Sequence, residues 1–362
     1  MTRGRTYGLS PALYRGDMPF PLGEWIDSHL DCRHNLSESG MHGTIPTPVP
    51  SAAEVRAADE QQLRERLASD VGVDPRRLFL TTGASQANAL AMLFLGRQSA
   101  GTSRPTCRFC PPEYPPLFDT AQWAGFRLST GAEEAGLAVV SQPRNPEGDL
   151  WERSRLLDWA SGADALLVDE TFREFAQAPS VQGSGRPGLW TSGSFTKFFA
   201  GDDIRVGFLV APEEATADFA RFHGVVTNRL APYSIAGAAR ALRERARARR
   251  SVLAVLRANV AAARSVFPGR RAPQAPVMFD RLDTGETGDS LAQRALASSV
   301  LVCSGSFFGD PSGVRLCLTR RSFPADLAAY LAVRSRPPRP SRAVRASRRA
   351  QNSARSTRST AP

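Results

Sequence analysis

Val168-Asp169-Glu170-Thr171-Phe172, followed by Ser194-Phe195-Thr196-Lys197 and then by Arg205-Val206-Gly207-Phe208, is the part of the chain on which the reading of the fold turns. Ala165–Val168 is a short apolar run of the kind that forms a buried strand, and it stops at a carboxylate. Leu189–Thr191 and Ile204–Val210 read as further strands on either side of Lys197. That residue is the single Lys among 362 residues, against 45 Arg. Composition pressure that turns replaceable Lys into Arg leaves Lys where Arg does not serve. A Lys amine can lose its proton and form a Schiff base, whereas an Arg guanidinium cannot.

Upstream, a helical stretch begins at Ser51, a Ser cap with Glu54 three residues on. Leu78–Thr82 reads as a strand, Gly83-Ala84-Ser85 as a turn, and ASQANALAMLFLG as a helix, an order that aims helix-start N–H groups at an anion. Strands at Thr106–Cys110, Phe126–Ser129 and Leu137–Ser141 alternate with helices at Leu117–Trp123 and Leu150–Ala160. Short buried strands alternating with helices predict an α/β domain with a mainly parallel sheet. After about Pro212 the character changes. A long helical region over Ile235–Val266, strand-like Val277–Phe279, Val300–Cys303 and Val314–Leu318, and helices at Ser290–Ala297 and Pro324–Val333 predict a smaller α+β domain. The expected organisation is an irregular N-terminal segment over 1–50 that lines the site, a large domain over 51–233, an interdomain helix with a small domain over 234–333, and a disordered tail over 334–362.

The net charge of +11 belongs mostly to that tail, which has nine Arg and no acidic residue and leaves the rest near neutral. A Pro, Ser and Arg composition with little apolar content reads as a solvated extension, and nucleic acid is not expected as a partner. No run approaches the ~20 apolar residues of a membrane helix. The opening MTRGRTYGLSPALYRGD has no apolar signal core, and five thinly spread Cys fit reduced thiols, so a cytoplasmic protein is expected. Cys107-x-x-Cys110 lacks a second pair and reads as core packing, with no metal site expected.

Arg144-Asn145-Pro146-Glu147-Gly148 completes a set of four pieces, with the Gly83 turn, the Asp169 strand end and Ser194-x-Thr196-Lys197 with Arg205 eight residues on. In this order they resemble the fold-type-I pyridoxal-phosphate enzymes, the aspartate aminotransferase superfamily, over roughly Ser51 to Thr319. The likeness lies in the branch of histidinol-phosphate aminotransferases, threonine-phosphate decarboxylases and capreomycidine synthases. The resemblance implies pyridoxal 5'-phosphate as cofactor, an amino acid as substrate and a homodimer. It implies that Lys197 holds the cofactor as a Schiff base and then moves the Cα proton, and that Asp169 keeps the ring nitrogen protonated. It assigns Asn145 to the phenolic oxygen, and Gly83, Ala84, Ser85, Ser194 and Arg205 to the phosphate. Tyr114 matches the aromatic that stacks on the ring. Arg315 matches the residue that grips the substrate carboxylate.

Phe172 stands where many relatives carry the Tyr that also bonds the phenolic oxygen. Gly201-Asp202-Asp203-Ile204 replaces the usual Pro-Gly-Leu and puts two carboxylates near the phosphate end. Ser37-Glu38-Ser39-Gly40-Met41-His42 resembles the Ser-x-Ser-Gly-(hydrophobic)-His segment of capreomycidine synthases, which marks Ser39 and His42 as substrate-side candidates. An aminotransferase is the first expectation. The alternative is a cyclase, decarboxylase or oxidase using the same Lys197 without net transamination. A transcription regulator of this fold needs a separate DNA-binding domain, for which residues 1–50 are too short and Pro-rich.

Overall fold

AGLAVVS (Ala135–Ser141) and ADALLVD (Ala163–Asp169) are buried along nearly their whole length. Such runs form the centre of a sheet covered on both faces. The computed structural model describes residues 21–98, 105–131, 134–282 and 285–336, and places these two runs side by side and parallel. In chain order the strands are β1 (His34–Asn35), β2 (Leu78–Thr81), β3 (Thr106–Arg108), β4 (Arg127–Ser129), β5 (Ala135–Ser141), β6 (Ala163–Asp169), β7 (Leu189–Ser194), β8 (Gly207–Val210), β9 (Val277–Arg281), β10 (Val300–Leu301), β11 (Cys303–Ser304) and β12 (Gly313–Cys317). The large sheet has the order β2-β8-β7-β6-β5-β3-β4. Only β8 runs against its neighbours β2 and β7. The expected α/β architecture with a mainly parallel sheet is therefore observed.

Side chains along β5 alternate between two cores. Leu137 and Val139 meet Leu90, Phe94 and Phe219 on one face, while Ala138 and Val140 meet Trp151 and Leu156 on the other. The helices Ala84–Gln98, Pro115–Trp123 and Thr216–Val226 contribute to the first face, and the helix Arg153–Trp159 to the second. A separate antiparallel sheet, β11-β12-β9, carries the C-terminal part, and β1 pairs in parallel with β10. Thus the segment after β1 is tied to the small sheet before it reaches the large one. Leu36 carries both hydrogen bonds, its N–H donating to Leu301 and its carbonyl accepting from Cys317.

Several expectations change in detail. The stretch from Ser51 is two helices, Ala52–Arg56 and Glu60–Val71, because Asp59 accepts from the N–H groups of Gln61 and Gln62 and caps a new start. The Ser51–Glu54 capping box is present. The region Ile235–Val266 is likewise two helices, Pro232–Arg243 and Arg245–Val266, parted at Glu244. Val300–Cys303 divides between two sheets. The supposedly irregular N-terminal region contains a helix, Pro21–Asp27, and the helix Thr216–Val226 had no expectation in the sequence. Most of the Arg-rich tail, and residues 1–20, lie outside the described residues. No described helix is long and apolar enough to cross a membrane.

Candidate active site

Parallel strands of an open α/β sheet present their carboxyl ends at one edge, where ligands bind. Here β5, β6 and β7 end at Ser141, Asp169 and Ser194. The reversed β8 brings its start, next to Arg205, to that same edge. A cavity of about 510 Å³ opens there. All thirteen positions assigned to the cofactor or the substrate line it, eleven from Gly83 to Arg315 in the two sheet-bearing parts, and Ser39 and His42 on the N-terminal strap.

At the floor, Asp169 is 6% exposed. Its Oδ1 accepts from the Thr171 N–H at 2.9 Å and its Oδ2 from Asn88 Nδ2 at 2.8 Å. Burial pushes its carboxyl above the usual range, and the bonds from Thr171 and Asn88 oppose this. No cationic side chain among the described residues is hydrogen-bonded to it. A buried carboxylate supported by neutral donors alone is costly, so this position suits a ligand that brings a protonated nitrogen.

Lys197 follows β7 in a tight turn. Ser194 Oγ accepts from the Thr196 N–H at 3.1 Å, and the Lys197 carbonyl accepts from the Met41 N–H at 2.8 Å. Burial pushes the Lys197 amine below the ordinary lysine range; Asp202 pulls it up, and Arg315 and Arg205 push it further down. A less basic amine is a better nucleophile near neutral pH. Arg205 has φ 45° and its guanidinium lies against Gly83, whose φ of 119° favours glycine. A Cβ on Gly207 would stand 2.6 Å from the Gly83 Cα, so backbone must approach backbone there. The helix Ala84–Gln98 begins at this point, which joins a guanidinium, a hydroxyl and helix-start N–H groups in an anion cradle.

Asn145 and Tyr114 sit on two crossover loops joined by a buried device. Glu113 is fully buried and accepts from the Ser141 N–H at 2.9 Å, from Ser141 Oγ and from the Tyr114 N–H at 2.7 Å. Ser141 Oγ in turn accepts from the Asn145 N–H at 2.9 Å. Arg144, also fully buried, pairs with Glu113 at 3.5 Å and donates to the carbonyls of Pro112 and Cys110. Burial raises the Glu113 carboxyl and Arg144 opposes it. Burial also pushes the Tyr114 phenol up to about 12, so it stays neutral. Glu113 was given no role in the sequence and Arg144 stood there only as the start of the Asn145 turn, although each immediately precedes a residue that was given one.

On the opposite wall Arg315 stands mid-strand in β12, 2% exposed. It donates to the Ser37 carbonyl at 2.9 Å and to Asn145 Oδ1 at 3.4 Å, and lies over the Phe308 ring at 4.9 Å. Its Nε has no hydrogen-bond partner among the described residues. Asp202 lines the cavity, whereas Asp203 is exposed and does not. The short helix Pro21–Asp27, absent from the sequence reading, adds Leu22, Ile26 and Asp27 to the wall. Cys107 packs in the core of the large sheet and Cys110 against its other face, and burial raises both thiols. The cradle, the neutral-donor carboxylate, the low-basicity amine and the facing Arg fit pyridoxal phosphate with an amino acid beside it.

A capreomycidine synthase of Streptomyces vinaceus is 25% identical over 257 residues, covering 59% of this chain and 64% of the synthase. A threonine-phosphate decarboxylase of a Sinorhizobium sp is 34% identical over 140 residues, covering 35% of this chain and 40% of the decarboxylase. The chain spans about half the length of the curated relatives it matches. Among solved structures, the PLP-dependent cyclase OrfR has a TM-score of 0.71 at 22% identity, covering 90% of this chain and 100% of the cyclase, which is a likeness of fold. The family model for aminotransferases of class I and II matches residues 127–323, more than half of the sequence, and the chain therefore belongs to that family of pyridoxal-phosphate enzymes.

Proposed function

We propose that this protein is a pyridoxal-phosphate-dependent enzyme acting on an α-amino acid, in the first reading an aminotransferase working as a homodimer. The observation that carries the proposal is the gathering of Lys197, Asp169, Asn145 and Arg315 around one cavity from separate strands and loops. When bound, the cofactor supplies an electron sink for charge that develops at the substrate Cα. Asp169 holds the proton on the ring nitrogen by opposite charge, and Asn145 hydrogen-bonds the phenolic oxygen. Tyr114 flanks the ring. Phe172 adds apolar surface without a second bond to the phenolic oxygen. Ser194, Arg205 and the Gly83-Ala84-Ser85 backbone hold the phosphate. Lys197 anchors the aldehyde carbon and its freed amine moves the Cα proton. Arg315 orients the substrate by its α-carboxylate.

A second reading, cyclisation or decarboxylation without net transamination, draws on the carboxylates Asp27 and Glu38 in the same cavity. They suit a cationic, arginine-type side chain, and the resemblance of Ser37–His42 to capreomycidine synthases agrees with that choice. Incubation of purified protein with a panel of amino acids and a keto acid separates the two. Conversion of the cofactor to its amine form is expected for transamination. No conversion with any donor overturns that reading, and a protein that stays colourless after cofactor addition overturns both.

A further inference from the structure

The helix Ala84–Gln98 buries Ala87, Leu90, Ala91, Met92 and Phe94, and Asn88 is buried among them at 3% exposure. Asn88 Oδ1 has no hydrogen-bond partner among the described residues. An unpaired buried amide oxygen is destabilising, and Leu, of similar size, is the better helix former. Stability alone therefore favours Leu at this position. What Asn supplies and Leu does not is the 2.8 Å bond from Nδ2 to Asp169 Oδ2. The Thr171 N–H already serves Oδ1, so Asn88 gives the second oxygen a donor of its own. One donor on each oxygen fixes the rotation of the carboxylate and favours its ionised form. Each oxygen keeps a further lone pair, and Asp169 lines the cavity.

We propose that Asn88 is a positioning residue that acts through Asp169, holding its carboxylate ionised and oriented for the ring nitrogen of the cofactor while the helix loses stability by carrying it. The proposal rests on the reading of Asp169 as the partner of that nitrogen.

Wild-type, Asn88→Leu and Asp169→Ala apoproteins are titrated with pyridoxal phosphate and with its analogue carrying carbon in place of the ring nitrogen, and their melting is followed without ligand. The Asn88→Leu apoprotein is expected to melt at or above the wild-type temperature. It should bind pyridoxal phosphate about tenfold or more weakly, as for one lost hydrogen bond to a charged group, and bind the analogue unchanged. If Leu does not fold there, Asn88→Ala gives the same comparison of ligands. Equal weakening for both ligands, or weakening for neither, overturns the role of Asn88 and leaves that of Asp169 standing. If Asp169→Ala discriminates between the two ligands as the wild type does, Asp169 is not the partner of the nitrogen and both assignments fall.

Discussion

Along the carboxyl edge of the large sheet, Asp169 and Ser194 each end a strand, and Asn145 and Lys197 follow within a few residues of a strand end. Across the cavity, Arg315 lies in the middle of a strand of a different sheet, held by the Ser37 carbonyl 278 residues away in sequence. The first wall is placed by local geometry, since a buried strand dictates where its last residue points. The second wall exists only once distant segments have met. Its helix Pro21–Asp27 is secured in the same way, by the bond from Trp25 Nε1 to the Val302 carbonyl at 2.9 Å. If the contrast is right, the two walls fail differently under mutation.

The largest effect belongs to the first wall. Lys197→Ala should lower turnover by about three to four orders of magnitude, since it removes the group that moves the proton, and should replace the absorbance band of the Lys-linked cofactor with that of the free aldehyde. Turnover within tenfold of wild type would break the assignment. Glu113→Ala, behind the same wall, should act on stability. It leaves the buried Arg144 with Glu147, at 3.6 Å, as its remaining carboxylate and the Ser141 and Tyr114 N–H groups without their acceptor, and removal of one partner of a buried pair costs about 3–5 kcal/mol. Denaturant unfolding measures this, and a loss below ~1 kcal/mol would show that the clasp between Tyr114 and Asn145 holds little.

Arg315→Met tests the second wall. Truncating a buried charged contact costs about 2–5 kcal/mol, which predicts a fall in kcat/KM of about thirtyfold or more. Cofactor affinity of the apoprotein should stay within about twofold, because the bond from Arg315 to the cofactor's wall, to Asn145 Oδ1 at 3.4 Å, is long. If cofactor binding collapses along with substrate use, the two walls are not separable and the contrast is wrong.

The same contrast explains how much was legible in the sequence. The strand-end motifs were visible because each is a run of a few residues with its chemistry at one end. Arg315 was visible because an Arg inside the strand pattern of β12 demands a partner. The helix Pro21–Asp27 was hidden by its Pro and Gly, which read as loop, and nothing local announces the Val302 carbonyl that anchors Trp25. Glu113 and Arg144 were passed over for a related reason. A Glu or an Arg is ordinarily a solvated charge, and only the packed structure shows both at 0% exposure. Asn88 lay inside an apolar helical run, where its donor to Asp169 depends on a strand 81 residues further on.

Asp202 and Asp203 give the smallest and most discriminating test. They are adjacent in sequence at the end of the Lys197 turn, yet Asp202 lines the cavity and Asp203 is exposed outside it. Burial lowers the basicity of the Lys197 amine, and Asp202 opposes that by stabilising the ammonium. Asp202→Asn removes the opposing charge, so the amine becomes still less basic and is neutral at lower pH. Capture of pyridoxal phosphate by the apoprotein requires the neutral amine. The midpoint of the capture rate against pH should therefore move down in Asp202→Asn and stay where it is in Asp203→Asn, whose carboxylate points to solvent and is screened. An upward move for Asp202→Asn, or equal moves for both, would mean that the turn rather than the charge sets the reactivity of Lys197, and that the first wall too depends on more than the strand that ends beneath it.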